Sequence, residues 1–398
     1  MEFPLPQYRL LCKIYISLSF KDLVVARKPV YEVDLFMPLF ISRYAGEVMK
    51  ICLISNAEGT WVIQDIEILN ELGYEVKKVV VKATFGPYRI MKLFFKAFFP
   101  AYWSDIIFCW FAFPSGFVGV LLSKMLRKQV IVNAVGVDVA YVPAINYGLS
   151  LKTHWRWLLN WTLMNADNVI AISKESADNV QNLVSKDVEI IYEGIDVERF
   201  RPIKVTKPKQ NIILTVGVLS KLNLKRKGFE LLVKCIPYVV KEFSNVKFVF
   251  VGKKKGGYPV LRDLIEKLGI LDYVDFKGYK PDEELIRLYN QCTIFALPSI
   301  HEGFPTVISE ALACEKPVVS TRLSAIPEVV VNYETGILIG KPQSPEELAC
   351  AIVTLLKIPS LRTKMGENGR EIIAQRFSRK IRKQRMKKML ESLVTKAS

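Results

Sequence analysis

The segment TIFALPSIHEGFPTVISEALACEKPVVS, residues 293–320, reads as strand, loop, helix and strand. Residues 293–297 are a short apolar run that Pro298 ends. Gly303 permits a tight backbone path, and Pro305 suits the first helical position, where an N–H would find no partner anyway. The helix this predicts runs to Ala313, and Pro317 opens the next strand at 318–320. A helix that starts at the carboxyl end of a strand presents unpaired N–H groups and the positive end of its dipole, which together attract anions. Glu302 lies just before that start, and Glu310 about one and a half turns inside it. One carboxylate can therefore meet one side of a bound diphosphate and the other its far side, since carboxylates accept readily from paired hydroxyls. Taken singly, Glu302 would be a capping acid and Glu310 a solvated helix residue. The pair in this setting is far more specific.

The same alternation extends outward. Residues 212–217 (IILTVG) and 246–252 (VKFVFVG) read as strands, 274–276 as extended, and 228–240, 260–268 and 283–290 as helices. An earlier series begins at Met49. There KICLIS (50–55) is a strand and NAEG (56–59) a loop; Ile63, Ile66, Leu69 and Leu72 then recur at helical spacing until Gly73, and 76–81 form the next strand. This pattern predicts an α/β chain with two parallel sheets covered on both faces. Pro202 and Pro208 mark a linker, so one domain is expected over 49–205, a second over 206–375 and a basic helix over 376–398. Residues 1–48 fit no period and no cleavable-signal layout, and read as an upstream extension or a mis-called start, with an accessory membrane-facing arm as the alternative. Ligands in such paired domains bind at the carboxyl ends of the strands, here in the cleft between domains.

With 398 residues the chain exceeds one core, and its 51% apolar and 11% aromatic content suffices for two. That composition excludes a disordered protein. The seven cysteines are scattered, never CxxC, and read as small buried hydrophobes of a reducing compartment. Two histidines, His154 and His301, argue against a His-built metal site. The formal charge of +17 asks for an anionic partner. No zinc finger, RNP-type strand or basic zipper accompanies it, so a membrane surface and a phosphate-bearing substrate are expected rather than nucleic acid. Residues 106–123 are uncharged over about the minimum spanning length. Pro114-Ser115-Gly116 interrupts them, so they read as a buried strand, a turn and a helix over 117–128.

EGFPTVISEALACEKPVVST, with seven residues between Glu302 and Glu310, resembles the E-x7-E signature of retaining family-4 glycosyltransferases of the GT-B architecture. ADNVIAIS (166–173) is similar to that family's strand before the linker. YEGIDVERFRP (192–202) resembles its N-G-v-D-x-x-x-F-x-P crossing, with Glu193 in place of Asn; VDFKGY (274–279), ELIRLYNQC (284–292) and FALPS (295–299) resemble parts of its donor domain. The resemblance spans residues 50–377, is strongest over 192–340, and implies two Rossmann-like domains facing across a cleft. It implies that Glu310 holds the ribose hydroxyls of a donor and that Glu302 contacts the transferred sugar. It implies donor contacts at Gly217 and from the backbone of Gly303, Phe304, Pro305 and Thr306. Lys227, before Gly228, would stabilise the leaving diphosphate, on which charge builds in the transition state. Gly59 and Asp138 are the acceptor-side candidates. Three departures stand out. Val218 follows Gly217 where the family often has Arg, leaving Lys221, Lys225 or Arg226 as substitutes. NAVGVD (133–138) lacks the family's His-Gly pair, and Ala325-Ile326 replaces the Gly-Gly before Pro327-Glu328.

The implied activity is transfer of a hexose-type sugar to a glycan or lipid-linked acceptor, by nucleotide departure and same-face attack. No metal and no cofactor are implied beyond the nucleotide-diphosphate sugar as co-substrate. YRIMKLFFKAFF (88–99) is cationic and aromatic; it suits a membrane interface, or equally a core-facing helix with lysines at its edge. The basic run 379–388, with Phe377, Ile381, Met389 and Leu393 as its apolar side, is expected to pack back on the first domain, its charge within reach of phospholipid. A cytoplasmic protein in peripheral contact with the inner membrane face follows from these features. Two rival readings stand beside this one: a GT-B-shaped epimerase acting on the sugar nucleotide alone, and a non-catalytic basic protein binding membrane or nucleic acid.

Overall fold

A computed structural model describes residues 48–81, 86–340 and 344–397, so the expectations for residues 1–47 lie outside the described residues. The first sheet contains β1 (Lys50–Ser55), β2 (Glu75–Val80), β3 (Ile106–Trp110), β4 (Gln129–Ala134), β5 (Asn168–Ala171) and β6 (Glu189–Ile190), in the order β2-β1-β3-β4-β5-β6. The second contains β7 (Asn211–Val216), β8 (Val246–Val251), β9 (Val274–Gly278), β10 (Ile294–Leu297), β11 (Val318–Thr321) and β12 (Gly336–Ile339), in the order β12-β11-β10-β7-β8-β9. Every pairing is parallel. The inner strands β3 and β10 are buried along their whole length, as continuous apolar runs between two helix layers must be. The edge strand β2 instead exposes Glu75, Lys77 and Lys78, charges that discourage further strand pairing.

The first sheet is covered by α1 (Thr60–Glu71), α2 (Pro87–Trp103), α3 (Phe117–Leu126), α4 (Thr153–Asn165) and α5 (Lys174–Leu183). The second sheet carries α6 (Lys221–Arg226), α7 (Phe229–Glu242), α8 (Tyr258–Lys267), α9 (Asp282–Gln291), α10 (Thr306–Ala313), α11 (Ile326–Val329), α12 (Pro345–Lys357) and α13 (Pro359–Arg376). Strand order reverses between β1 and β3 and again between β7 and β10, and such switch points are where ligands enter open α/β sheets.

The last helix, α14 (Arg379–Ala397), leaves the second sheet and lies against α1. Arg382 donates to both oxygens of Asp65 at 2.7 Å, and also to the carbonyls of Ile191 (2.9 Å) and Tyr192 (2.8 Å). Arg379 and Lys383 pair with Glu71 at 2.7 and 3.0 Å. Three of the basic residues expected near phospholipid are therefore paired with acids of the first domain, Arg382 in the interior and Arg379 and Lys383 at the surface. Met386, Met389, Leu390 and Leu393 bury the apolar side of the helix in a core continuous with both sheets.

Some local expectations are corrected. α1 turns Val62, Asp65, Ile68 and Leu69 inward and leaves Ile63 exposed, because Asp65 must meet Arg382. The stretch carrying Lys221, Lys225 and Arg226 forms the short helix α6: Ser220 caps it by accepting from the Asn223 amide, and Leu224 anchors it inward. Pro305 is the residue before α10, not its first. Cys350 is exposed; the other described cysteines are buried. Residues 106–123 form β3, a turn over Ala112–Gly116 and the start of α3, and no helix among the described residues is long and apolar enough to cross a membrane.

Candidate active site

β7 and β10 lie side by side, and the segments leaving their carboxyl ends meet. After β7 the chain passes Gly217 and α6 to reach Arg226 and Lys227. After β10 it runs from Pro298 to Pro305 and enters α10. The Ile300 amide donates to the Arg226 carbonyl at 2.8 Å, stitching the two segments together. Gly228 closes the first with φ +68°, and a Cβ there would stand 2.0 Å from the Pro298 carbonyl oxygen, so only glycine fits. Gly217 has a related purpose. Its missing Cβ leaves room for the Lys227 stem, whose Cδ would lie 2.8 Å from it.

Glu302 is the centre of this arrangement. Its carboxylate accepts from Lys227 Nζ (2.9 Å), Arg226 (3.2 Å) and Ser299 Oγ (2.8 Å). Burial alone would lift its pKa, but the Lys227 and Arg226 charges overcome that and hold it at about 2. Burial pushes the Lys227 pKa down, opposed by Glu302. Two cations thus share one anion in a nearly dry pocket, leaving an excess positive charge. Of the three candidates for the missing Arg, it is Arg226 that reaches the carboxylate, donating also to the His301 carbonyl at 3.0 Å.

Glu310 lies one turn into α10 and accepts from the buried Tyr289 hydroxyl at 2.7 Å. Desolvation raises its pKa to about 8 despite that bond. Glu193, the residue standing where the resemblance expects Asn, is buried beside it and raised to about 7, chiefly by desolvation, while Arg382 and a hydrogen bond with Thr306 oppose the rise. The four-residue backbone cradle needs correction. Pro305 has no N–H, and the Thr306 amide is already bonded to the Phe304 carbonyl at 2.9 Å. At this helix start the amides of Gly303, Phe304 and Val307 remain, with no acceptor among the described residues.

The first sheet supplies the opposite wall. A Cβ on Gly303 would lie 2.2 Å from the Val135 carbonyl oxygen and 3.1 Å from Gly136 Cα, so the loops after β4 and β10 touch. Asp138 is fully engaged in shaping that loop, accepting from the amides of Ala112 (2.6 Å), Gly136 (2.9 Å) and Val135 (3.2 Å). Its carboxylate positions backbone. Gly59 precedes α1, where a Cβ would collide with the Trp61 ring at 2.3 Å. Tyr147 is a wall residue that the sequence does not reveal. Its ring sits 5.2 Å from that of His301, with the Arg226 guanidinium 5.4 Å away over its face. Glu328 stands out in the sequence only as part of a motif, yet it reaches across to accept from the Lys174 and Glu175 amides at the start of α5, at 2.8 and 3.0 Å. No local signal marks either role.

Two parallel six-stranded sheets whose carboxyl edges meet over an anion-ready helix start define the GT-B class of α/β protein. The chain belongs to the family-4 glycosyltransferases: the pattern described as "Glycosyltransferase Family 4" matches residues 65–199, and that of "Glycosyl transferases group 1" matches residues 196–372. It is 29% identical to an uncharacterized glycosyltransferase of Methanocaldococcus jannaschii over 274 residues, which cover 69% of this chain and 71% of that one. It is 31% identical to a subunit of the phosphatidylinositol N-acetylglucosaminyltransferase of Arabidopsis thaliana over 57% of this chain and 50% of that one. Its fold is similar to that of Anabaena HepE, solved in complex with UDP and glucose, with a TM-score of 0.72 and 22% identity over 86% of this chain and all of that one.

Proposed function

We propose that the protein transfers a hexose-type sugar from a nucleoside-diphosphate sugar to a glycan or lipid-linked acceptor, with retention at the anomeric carbon and without a metal. The observation that carries this reading is the convergence of Lys227 and Arg226 on Glu302 beside the start of α10. A diphosphate entering there meets two cations and the free amides of Gly303, Phe304 and Val307, so its charge is balanced by protein groups. On this reading Glu310 accepts from the ribose hydroxyls and Glu302 from those of the sugar. As the bond between the anomeric carbon and the diphosphate oxygen breaks, the electron pair stays with the diphosphate, and Lys227 and Arg226 stabilise the growing charge. The acceptor hydroxyl attacks from the same face and its proton passes to the departing phosphate oxygen. The UDP bound by the Anabaena neighbour favours a nucleotide donor, and the name of the Arabidopsis relative a lipid-linked acceptor. Peripheral placement on the inner membrane face agrees with the charge of +17.

The test is a screen of nucleotide sugars for nucleoside-diphosphate release, with and without lipid extract and with EDTA present. Acceptor-dependent release that survives EDTA, giving a product of unchanged anomeric configuration, is expected. Release of no nucleotide from any donor overturns the transfer reading, and an inverted product overturns retention. Interconversion of the sugar without acceptor would point to the epimerase.

A further inference from the structure

Helix α2 buries Leu93, Ala97 and Ala101 and exposes Tyr88, Met91, Phe95, Phe99 and Tyr102 on its other side. These five recur every three or four residues and form one stripe. Phe95 is 67% exposed and Phe99 76%, and Trp157 on the neighbouring α4 is 68% exposed. Single exposed apolar residues need no explanation, but a continuous aromatic stripe does. The charge around it has one sign. Arg89, Lys92 and Lys96 flank the stripe on α2, Lys124 lies on α3 and Arg156 on α4, while none of these three helices contains an Asp or Glu. Large aromatics beside cations, with no acid among them, match the surface of an anionic bilayer.

A groove of about 410 Å³ opens beside the stripe, lined by apolar side chains that include Ile90, Phe94, Val118, Leu121, Trp155 and Leu158. All but Phe94, which opens the third turn of α2, lie in the first two turns of α2, α3 and α4. Each of these helices runs back against its parallel sheet, so its first turns stand at the carboxyl edge of the strands. That edge is the one carrying the cleft, where Gly136 meets Gly303. We infer that this face seats on an anionic phospholipid leaflet and that the groove takes a hydrocarbon chain of the lipid, delivering the polar head of the acceptor to the cleft. The inference deepens the transfer reading above and rests on it for the acceptor; the seating itself does not.

The experiment floats the full-length chain with vesicles of phosphatidylcholine alone or with phosphatidylglycerol added, at physiological salt. Nucleoside-diphosphate binding, followed by thermal shift, reports on the fold and the donor site. Flotation is expected with the anionic vesicles and is expected to weaken about fivefold for each cation removed by Lys92→Gln or Lys96→Gln. F95S/F99S is expected to cut binding by more than about tenfold, since each ring loses its apolar burial. Both sites are exposed, so the nucleotide-induced shift stays as in the parent protein. Vesicles with a photoreactive acyl chain are expected to label peptides from α2 and α4. Three results would each overturn the seating: no flotation by the parent protein, equal flotation by F95S/F99S, or labelling confined to residues 1–47. If they occur while sugar transfer to a lipid-free glycan proceeds, the transfer reading stands and this inference alone falls.

Discussion

A single carboxylate holds Lys227 and Arg226 in place, so under the proposed transfer neither must be recruited when the diphosphate binds. Preorganised charge of this kind acts mainly on the step in which charge develops. Lys227→Ala is therefore expected to lower kcat by about 10²–10³-fold, with the donor KM changed far less; steady-state kinetics with saturating acceptor checks this. Gly217→Ala should imitate it in milder form, because the new Cβ displaces the Lys227 stem. Glu310 predicts a pH effect with a definite sign. Desolvation raises its pKa to about 8, so at pH 7 the carboxyl is mostly protonated, whereas the proposed role of accepting from both hydroxyls of a ribose calls for the carboxylate. Nucleoside-diphosphate affinity should rise with pH until about 8 and level off above it. Calorimetry at pH 7 in buffers of different ionisation enthalpy should detect net proton release on binding. Glu310→Gln should weaken binding about tenfold or more and remove the proton release. A flat profile in the parent protein would refute the assignment.

At the scale of elements, Glu328 on α11 does for α5 what an N-cap does, but from the other half of the molecule. Ser173 is the local cap, accepting from the Ser176 amide, and Glu328 takes the two amides that remain in the first turn. Glu328→Ala is expected to cost about 1 kcal/mol and to speed hydrogen exchange at Lys174 and Glu175 while leaving the strands protected. Mass-spectrometric exchange reads both. The strands themselves are legible in the sequence because parallel strands covered on both faces are continuous apolar runs, as IIFCW and IILTV are. The start of α10 is legible within one residue because glycine and proline carry their own backbone rules. α6 is not, since a six-residue basic helix with only Leu224 buried has too little apolar periodicity to mark it. Arg226, Tyr147 and Glu328 share a different reason. Their roles come from partners 75, 154 and 153 positions away or across a domain boundary, which no local pattern encodes. Glu193 stands out in the sequence only as a departure from a motif; its burial beside Thr306 and Arg382 gives that departure a physical setting.

The whole molecule is closed by its last helix. α14 starts from the second half and clasps α1 of the first, and the centre of that clasp is the Arg382–Asp65 pair, 2% and 0% exposed. Two parallel hydrogen bonds and two backbone carbonyls satisfy the guanidinium, the geometry a buried charge requires. Such a pair adds less net stability than its length suggests, because both ions were desolvated to form it; breaking it is costly, because one buried charge is then left alone. Asp65→Ala is accordingly expected to destabilise the fold by about 3–5 kcal/mol, seen as a fall in Tm. The carboxyl of Glu193 adds a second consequence. It lies in the field of Arg382 and is opposed by Asp65, so removing Asp65 lets Arg382 favour its ionised form and should bring its pKa below about 7. A single fall in Tm would follow from any broken core contact, but the double variant D65L/R382M separates the cases. If the pair acts as an isolated buried charge couple, the double variant recovers most of the stability lost by Asp65→Ala, because no orphaned charge remains. If recovery fails, the bonds from Arg382 to the Ile191 and Tyr192 carbonyls hold α14 in their own right, and the clasp depends on the arginine rather than on the pair.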